Sequence, residues 1–181
     1  AARRRIEALA DSLAVFGNGW VETPKEMGHF GTDYLLRAAV AWEFLYSSSP
    51  QEIKEYVTSG DSLGNRLEGA AGPYTMYFET SPPVQYMWSL SLLDPDTRET
   101  LCEPFRMSLL GDNQKEARKA RSQPVTIRVQ RDNPGKIEGE VWLPAPDGPF
   151  IVLLRLYGPG PAESAESYRP PPVLPGLRRA G

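Results

Sequence analysis

The stretch that decides the fold is VWLPAPDGPFIVLLRLY, residues 141–157. Its second half, Phe150 to Tyr157, contains no glycine, no proline and a single charge. Flanking prolines and the β-branched and aromatic content favour a strand over a short helix. Side chains alternate along a strand, so Phe150, Val152, Leu154 and Leu156 face one way and Ile151, Leu153, Arg155 and Tyr157 the other. Both faces are mostly apolar, the pattern of an inner strand covered on both sides. Arg155 is the exception. An unpaired buried guanidinium is costly, so it needs either a carboxylate partner, which would be structural glue, or an anionic or carbonyl group at the edge of a pocket.

Outward from this strand the text is β. Pro73 to Phe78, Tyr86 to Leu93 and Val125 to Gln130 alternate apolar and polar positions, and proline- and glycine-rich turns separate them. Asp94-Pro95-Asp96-Thr97 and Asp132-Asn133-Pro134-Gly135 fit tight turns, and Asp94 and Asp96 suit turn chemistry better than acid–base catalysis. Residues 47–72 read as turn-rich, with a short helix starting near Ser49-Pro50. Gln114 to Ser122 reads as a charged loop or short exposed helix. After Tyr157, the prolines near Tyr168-Arg169-Pro170-Pro171-Pro172 favour an extended tail lying against the body.

The first quarter is helical. Ala1 to Val15 has apolar residues at helical spacing, and its three arginines read as a solvated helix start. Thr32 to Tyr46, TDYLLRAAVAWEFLY, is the strongest helix. Thr32 is a plausible N-cap, and the run is apolar enough to be buried on much of its circumference. Asp33 and Arg37 stand in the favourable i,i+4 order for an ion pair, with Tyr34 beside them. The expected architecture is mainly β: a jelly-roll-like antiparallel β-sandwich with two N-terminal helices. Residues 1–60 would be a helical segment packed on the sandwich, and 61–181 the sandwich with its extended tail.

Composition limits the function classes. The 181 residues carry 20 Lys and Arg against 23 Asp and Glu, a net charge of -3, which argues against general nucleic-acid binding. One histidine, His29, leaves no basis for a His-rich metal site, and the one cysteine, Cys102, has no partner for an internal disulfide and no evident catalytic helper. No run is long and apolar enough for a membrane-spanning helix. No metal or cofactor is expected. Compartment is not legible, and an alanine at the first position suits a processed chain or a segment of a longer one.

Several segments together resemble the family called domain of unknown function 1214. They are GTDYLLRAAVA (31–41), YMWSLSLLDPDT (86–97), VQRDNPG (129–135), WLPAPDGPF (142–150), LLRLY (153–157) and YRPPP (168–172). The likeness runs in order from about residue 18 to residue 172. It implies a jelly-roll-like sandwich preceded by helices, usually C-terminal to another uncharacterised domain, numbered 1254. It implies no activity. The family pattern is sharpest at Tyr34, Arg37, Trp88, Gln130, Asp132, Trp142, Arg155 and Tyr157. The chain departs from it at Ala70-Ala71-Gly72-Pro73, where relatives commonly carry a polar Ser-Asn-Arg type of loop, and at Val141, where asparagine is common.

The functional expectation is a small-molecule- or glycan-binding domain with an aromatic and arginine pocket. Asp33, Tyr34, Arg37, Trp88, Gln130, Trp142, Arg155 and Tyr157 would line it, on the premise that the helix and the inner strand bring their few polar groups together. One alternative is a metal-independent enzyme acting on a small metabolite, drawing on Tyr34, Asp33, Asp132 and His29. Another is a scaffolding or oligomerisation domain, whose partner would be a second copy of the chain.

Overall fold

The fold was obtained as a computed structural model, which describes residues 2–11, 18–24, 27–43, 48–108, 122–137, 140–161 and 167–176. Among the described residues, two α-helices, α1 (Ala2–Asp11) and α2 (Tyr34–Glu43), accompany nine strands: β1 (Val21–Glu22), β2 (Ile53–Thr58), β3 (Tyr74–Phe78), β4 (Val84–Leu93), β5 (Phe105–Ser108), β6 (Val125–Gln130), β7 (Glu140–Pro144), β8 (Ile151–Pro159) and β9 (Leu174–Pro175). The strands form a five-stranded sheet, ordered β1-β2-β8-β4-β5, and a four-stranded sheet, ordered β7-β6-β3-β9. The expected mainly β sandwich with two N-terminal helices is therefore present. One pair departs from the antiparallel expectation: β6 and β7 run parallel, with Arg128 opposite Trp142 and Gln130 opposite Pro144.

β8 is the inner strand anticipated, paired with β2 on one side and β4 on the other. Its residues Val152, Leu154 and Leu156 face the interior. With Tyr56, Trp88, Leu90 and Leu92 they close on Tyr74, Met76, Phe78, Ile127, Val129 and Leu143 of the other sheet. Such interdigitation of two inner faces is what holds a sandwich together. The opposite side of β8 begins a second apolar cluster, in which Ile151, Leu153, Val57 and Leu93 meet Met27 and Val40, with Phe30 and Leu36 packed against them. Helix α2 thus covers the outer face of the five-stranded sheet, and α1 packs on α2, with the Arg3 guanidinium 5.3 Å from the Trp42 ring centroid.

Four expectations about the first third are corrected. Asp33, Tyr34 and Arg37 are exposed rather than buried; α2 buries one side only, through Ala39 and Val40. The cap is Asp33, not Thr32: its Oδ1 accepts the Leu36 N–H at 2.9 Å, which satisfies one of the helix's orphan donors. Residues 53–58 are a strand inside the five-stranded sheet, so the sandwich starts before the boundary at residue 60. Ser49 O accepts the N–H of Glu52 and of Ile53, making a turn into β2 where a short helix was expected. The C-terminal part of the anticipated Thr32–Tyr46 helix and the charged segment 114–121 lie outside the described residues.

The tail lies against the body as expected and adds a strand. Trp20 Nε1 donates to Pro171 O at 2.9 Å and Asn18 Nδ2 to Pro170 O at 2.7 Å, after which β9 pairs with β3. No described helix is long and apolar enough to cross a membrane.

Candidate functional site

The eight residues singled out in the sequence do not converge on one point. Trp88 is fully buried between the sheets, its ring 4.6 Å from Phe78 and 5.0 Å from Phe105. Asp33, Tyr34 and Arg37 stand on the solvent side of α2. Arg155 and Tyr157 lie on the outer face of the five-stranded sheet. Gln130 and Trp142, together with Asp132, come together on the other sheet.

Arg155 resolves as structural glue. Its Nε donates to Glu55 Oε1 at 2.6 Å, and the two stand opposite one another on β8 and β2. Glu55 has only 3% of its side chain exposed. Burial raises its pKa above the usual carboxylate value, and the hydrogen bond and charge of Arg155 pull it back down. Thr23 fixes the same residue's backbone: its hydroxyl donates to Glu55 O at 2.9 Å and accepts the Glu55 N–H at 3.0 Å. The sequence pattern does not single out Glu55, because the glycines and prolines of residues 47–72 point to turns. The signal was present in IKEYVT, a run dense in β-branched and aromatic residues.

The enzyme candidates are dispersed as well. His29 is exposed. Cys102 is half-buried, and burial pushes its thiol up, away from the nucleophilic thiolate. Asp94 accepts the N–H groups of Asp96 at 2.9 Å and Thr97 at 2.8 Å, and these bonds hold its carboxyl below the usual range, as turn chemistry requires.

The place where polar groups do meet is the end of β6. There a groove of about 750 Å³ is lined by Gly69, Ala70, Gly72 and Pro73 on one side and by Arg128, Gln130, Arg131, Asp132, Pro134 and Ile137 on the other. Each wall has an identifiable support. Gly69 N–H donates to Gly148 O at 3.0 Å and Ala70 N–H to Asp147 O at 3.2 Å, which clamps the loop to the turn ahead of β8. Only glycine fits at position 69, because a Cβ there would lie 1.7 Å from Pro146 O. On the far wall, Asn133 Oδ1 accepts the Gly135 N–H at 2.9 Å, and Gly135 takes a positive φ of 82°, closing the expected turn.

Gln130 is held at both ends. Its carbonyl accepts Trp142 Nε1–H at 2.8 Å and the Ala145 N–H at 3.0 Å, while its side-chain Nε2 donates to Asp132 O at 2.6 Å. Arg128 makes a two-point contact with Glu140, Nε to Oε2 and Nη2 to Oε1, both 2.8 Å. That fork holds the Glu140 carboxyl below the usual range and raises Arg128 further. Arg131 Nε lies 2.8 Å from Asp147 Oδ1 on the open rim. The two arginines of the groove are thus each matched by a carboxylate, and Asp132 adds a further carboxylate to the lining. Its loop wall is the Ala70-Ala71-Gly72-Pro73 segment, where the family resemblance departs from its usual polar sequence, whereas Val141 turns inward and packs against the core.

A two-sheet sandwich with helices over one face and an open groove at the end of the other sheet defines a β-sandwich domain. The family model described as "Protein of unknown function (DUF1214)" matches residues 53–161, from the first residue of β2 to just past β8, and the chain belongs to that family. Among solved structures it is similar to the VPA0106 protein from Vibrio parahaemolyticus, with 19% identity, a TM-score of 0.63, and coverage of 97% of this chain but 42% of that one. The likeness concerns the fold, and the chain spans less than half the length of that protein. No curated protein matches the chain.

Proposed function

We propose that this domain binds a small polar molecule in the groove between the 69–73 loop and the end of β6. The observation that carries the reading is the meeting of Gln130 and Asp132, two positions singled out in the sequence, in a groove of about 750 Å³, a volume suited to a small ligand. Gln130 and the rim of Asp132 would supply directional hydrogen bonds. Pro73, Pro134 and Ile137 would supply apolar contact. Trp142, hydrogen-bonded to Gln130, would hold that wall in place.

Rigid walls favour this role, because ordering a binding site before the ligand arrives lowers the cost of binding. Here the loop wall is fixed by two backbone hydrogen bonds and the β6 wall by the Trp142 and Ala145 donors. Arg37 and Tyr34, on the far side of the molecule's other sheet, take no part in this reading.

A thermal-shift and calorimetric screen of small carboxylates, polyols and sugars tests it. At least one compound class should stabilise the protein, and Asp132→Ala and Gln130→Ala should abolish the response while Arg37→Ala leaves it intact. A response that survives both groove substitutions, or no response to any class, overturns the reading.

A further inference from the structure

The outer face of the four-stranded sheet extends the groove, and no described element packs over it. The register places Tyr77, Thr126 and Glu140 in one row across β3, β6 and β7, and Thr75, Arg128 and Trp142 in the next. All six side chains point away from the core, since their neighbours Met76, Ile127, Val129 and Leu143 point into it. Tyr77 is 52% exposed, with no core role that requires a tyrosine. Trp142 is half-buried and its indole is oriented by the Gln130 carbonyl. The Cα positions of these two residues occupy opposite corners of this patch, roughly 12 Å apart from strand spacing and rise. The Arg128–Glu140 pair lies between them, and Arg128 also lines the groove.

We propose that the ligand is a neutral oligosaccharide running from the groove onto this face, with its sugar rings stacked on Trp142 and Tyr77. This rests on the groove reading above and names its ligand class. The aromatic faces match the apolar C–H faces of pyranose rings. Between them, a two-point ion pair still offers acceptor and donor capacity to hydroxyl groups. Charge disfavours an acidic ligand: the groove guanidiniums of Arg128 and Arg131 are each matched by a carboxylate, Glu140 and Asp147, and Asp132 adds a further carboxylate to the lining. The spacing of the two positions exceeds a single sugar, so length of chain should matter.

The test is calorimetry with soluble glucan, xylan and mannan oligosaccharides, their monosaccharides, and oligogalacturonate as the acidic counterpart. At least one neutral oligosaccharide should bind about tenfold more tightly than its monosaccharide, with little dependence on salt. Tyr77→Ala should weaken the oligosaccharide about tenfold, the size of one aromatic contact, while leaving the melting temperature and any groove-bound monosaccharide unchanged. The proposal is overturned if Tyr77→Ala has no effect, if oligogalacturonate is preferred, or if no sugar binds while a carboxylate or polyol of the groove screen does; in that last case binding lost in Asp132→Ala leaves the groove reading standing. Absence of binding by every compound of both panels removes both.

Discussion

The two outer faces of this sandwich are built from similar parts and put to opposite use. Each carries an arginine paired with a glutamate across neighbouring strands. On the five-stranded sheet the pair is Arg155 and Glu55, beside an apolar cluster roofed by α2. On the four-stranded sheet it is Arg128 and Glu140, flanked by Tyr77 and Trp142 with no described element above them. The difference lies in desolvation. Burial raises the Glu55 carboxyl, whereas the fork from Arg128 lowers that of Glu140. A buried pair is committed to the fold, because either partner alone would be stranded. The Arg128–Glu140 pair, with 28% and 21% of its side chains exposed, keeps open faces that can meet something else.

That contrast can be broken by mutation. The largest effect should come from Arg155→Ala, which strands the Glu55 carboxylate. Loss of about 3 kcal/mol is expected in urea denaturation, the low end for a broken buried pair because Arg155 itself is partly exposed. The same truncation at Arg128 should cost under about 1 kcal/mol, as for solvated pairs. Equal losses at the two sites would erase the distinction.

Gly69→Ala should come next, at about 2 kcal/mol, since the added methyl meets the Pro146 carbonyl and forces the loop away from the 145–149 turn. Thermal melting measures it, and ligand binding should be lost in the same variant.

The pH dependence sharpens the comparison by sign. Glu140 has a lowered folded-state pKa, so its contribution is present above the unfolded pKa and lost as pH falls through the folded one. Glu55 has a raised folded-state pKa, so its contribution is full below the unfolded pKa of about 4.3 and lost as pH rises through the folded value. Stability curves running from below the unfolded pKa of about 4.3 up to neutral pH should therefore diverge, Glu140 acting below that value and Glu55 above it. Relative to the unsubstituted protein, Glu140→Gln should be least stable at neutral pH, and Glu55→Gln should flatten a decline that accompanies rising pH. Parallel curves for the two variants would contradict the assignment. The smallest effect belongs to Arg37→Ala on the exposed side of α2, expected within about 0.5 kcal/mol.

The sandwich was legible because its evidence is local. Alternation in residues 125–130 and the uninterrupted apolar run of β8 dictate strands whatever surrounds them, and the prolines and glycines between them set the turns. β2 was not legible to the same degree: IKEYVT carries a lysine and a glutamate that look solvent-facing until the partners Glu22 and Arg155 arrive from elsewhere in the chain. The need of Arg155 for a carboxylate could be read; which carboxylate could not, since Glu55 lies 100 residues away. Helix α2 misled in the same way. Its apolar content implies burial on much of its circumference, but only the Leu36 and Val40 side meets the sheet, and α1 takes part of the rest. The groove was half visible. Gln130 and Asp132 stood out, but Gly69 matters through a contact with Pro146 that no local pattern encodes.

The most direct test is amide chemical-shift mapping of the labelled protein during titration with the best-binding compound of the small-molecule and sugar panel. The account predicts shifts confined to the 69–73 loop, residues 128–132 and the exposed rows of β3, β6 and β7, with the 53–57 and 153–157 amides unmoved. Shifts centred on Arg155 and Glu55, or no saturable shifts with any member of the panel, would contradict it.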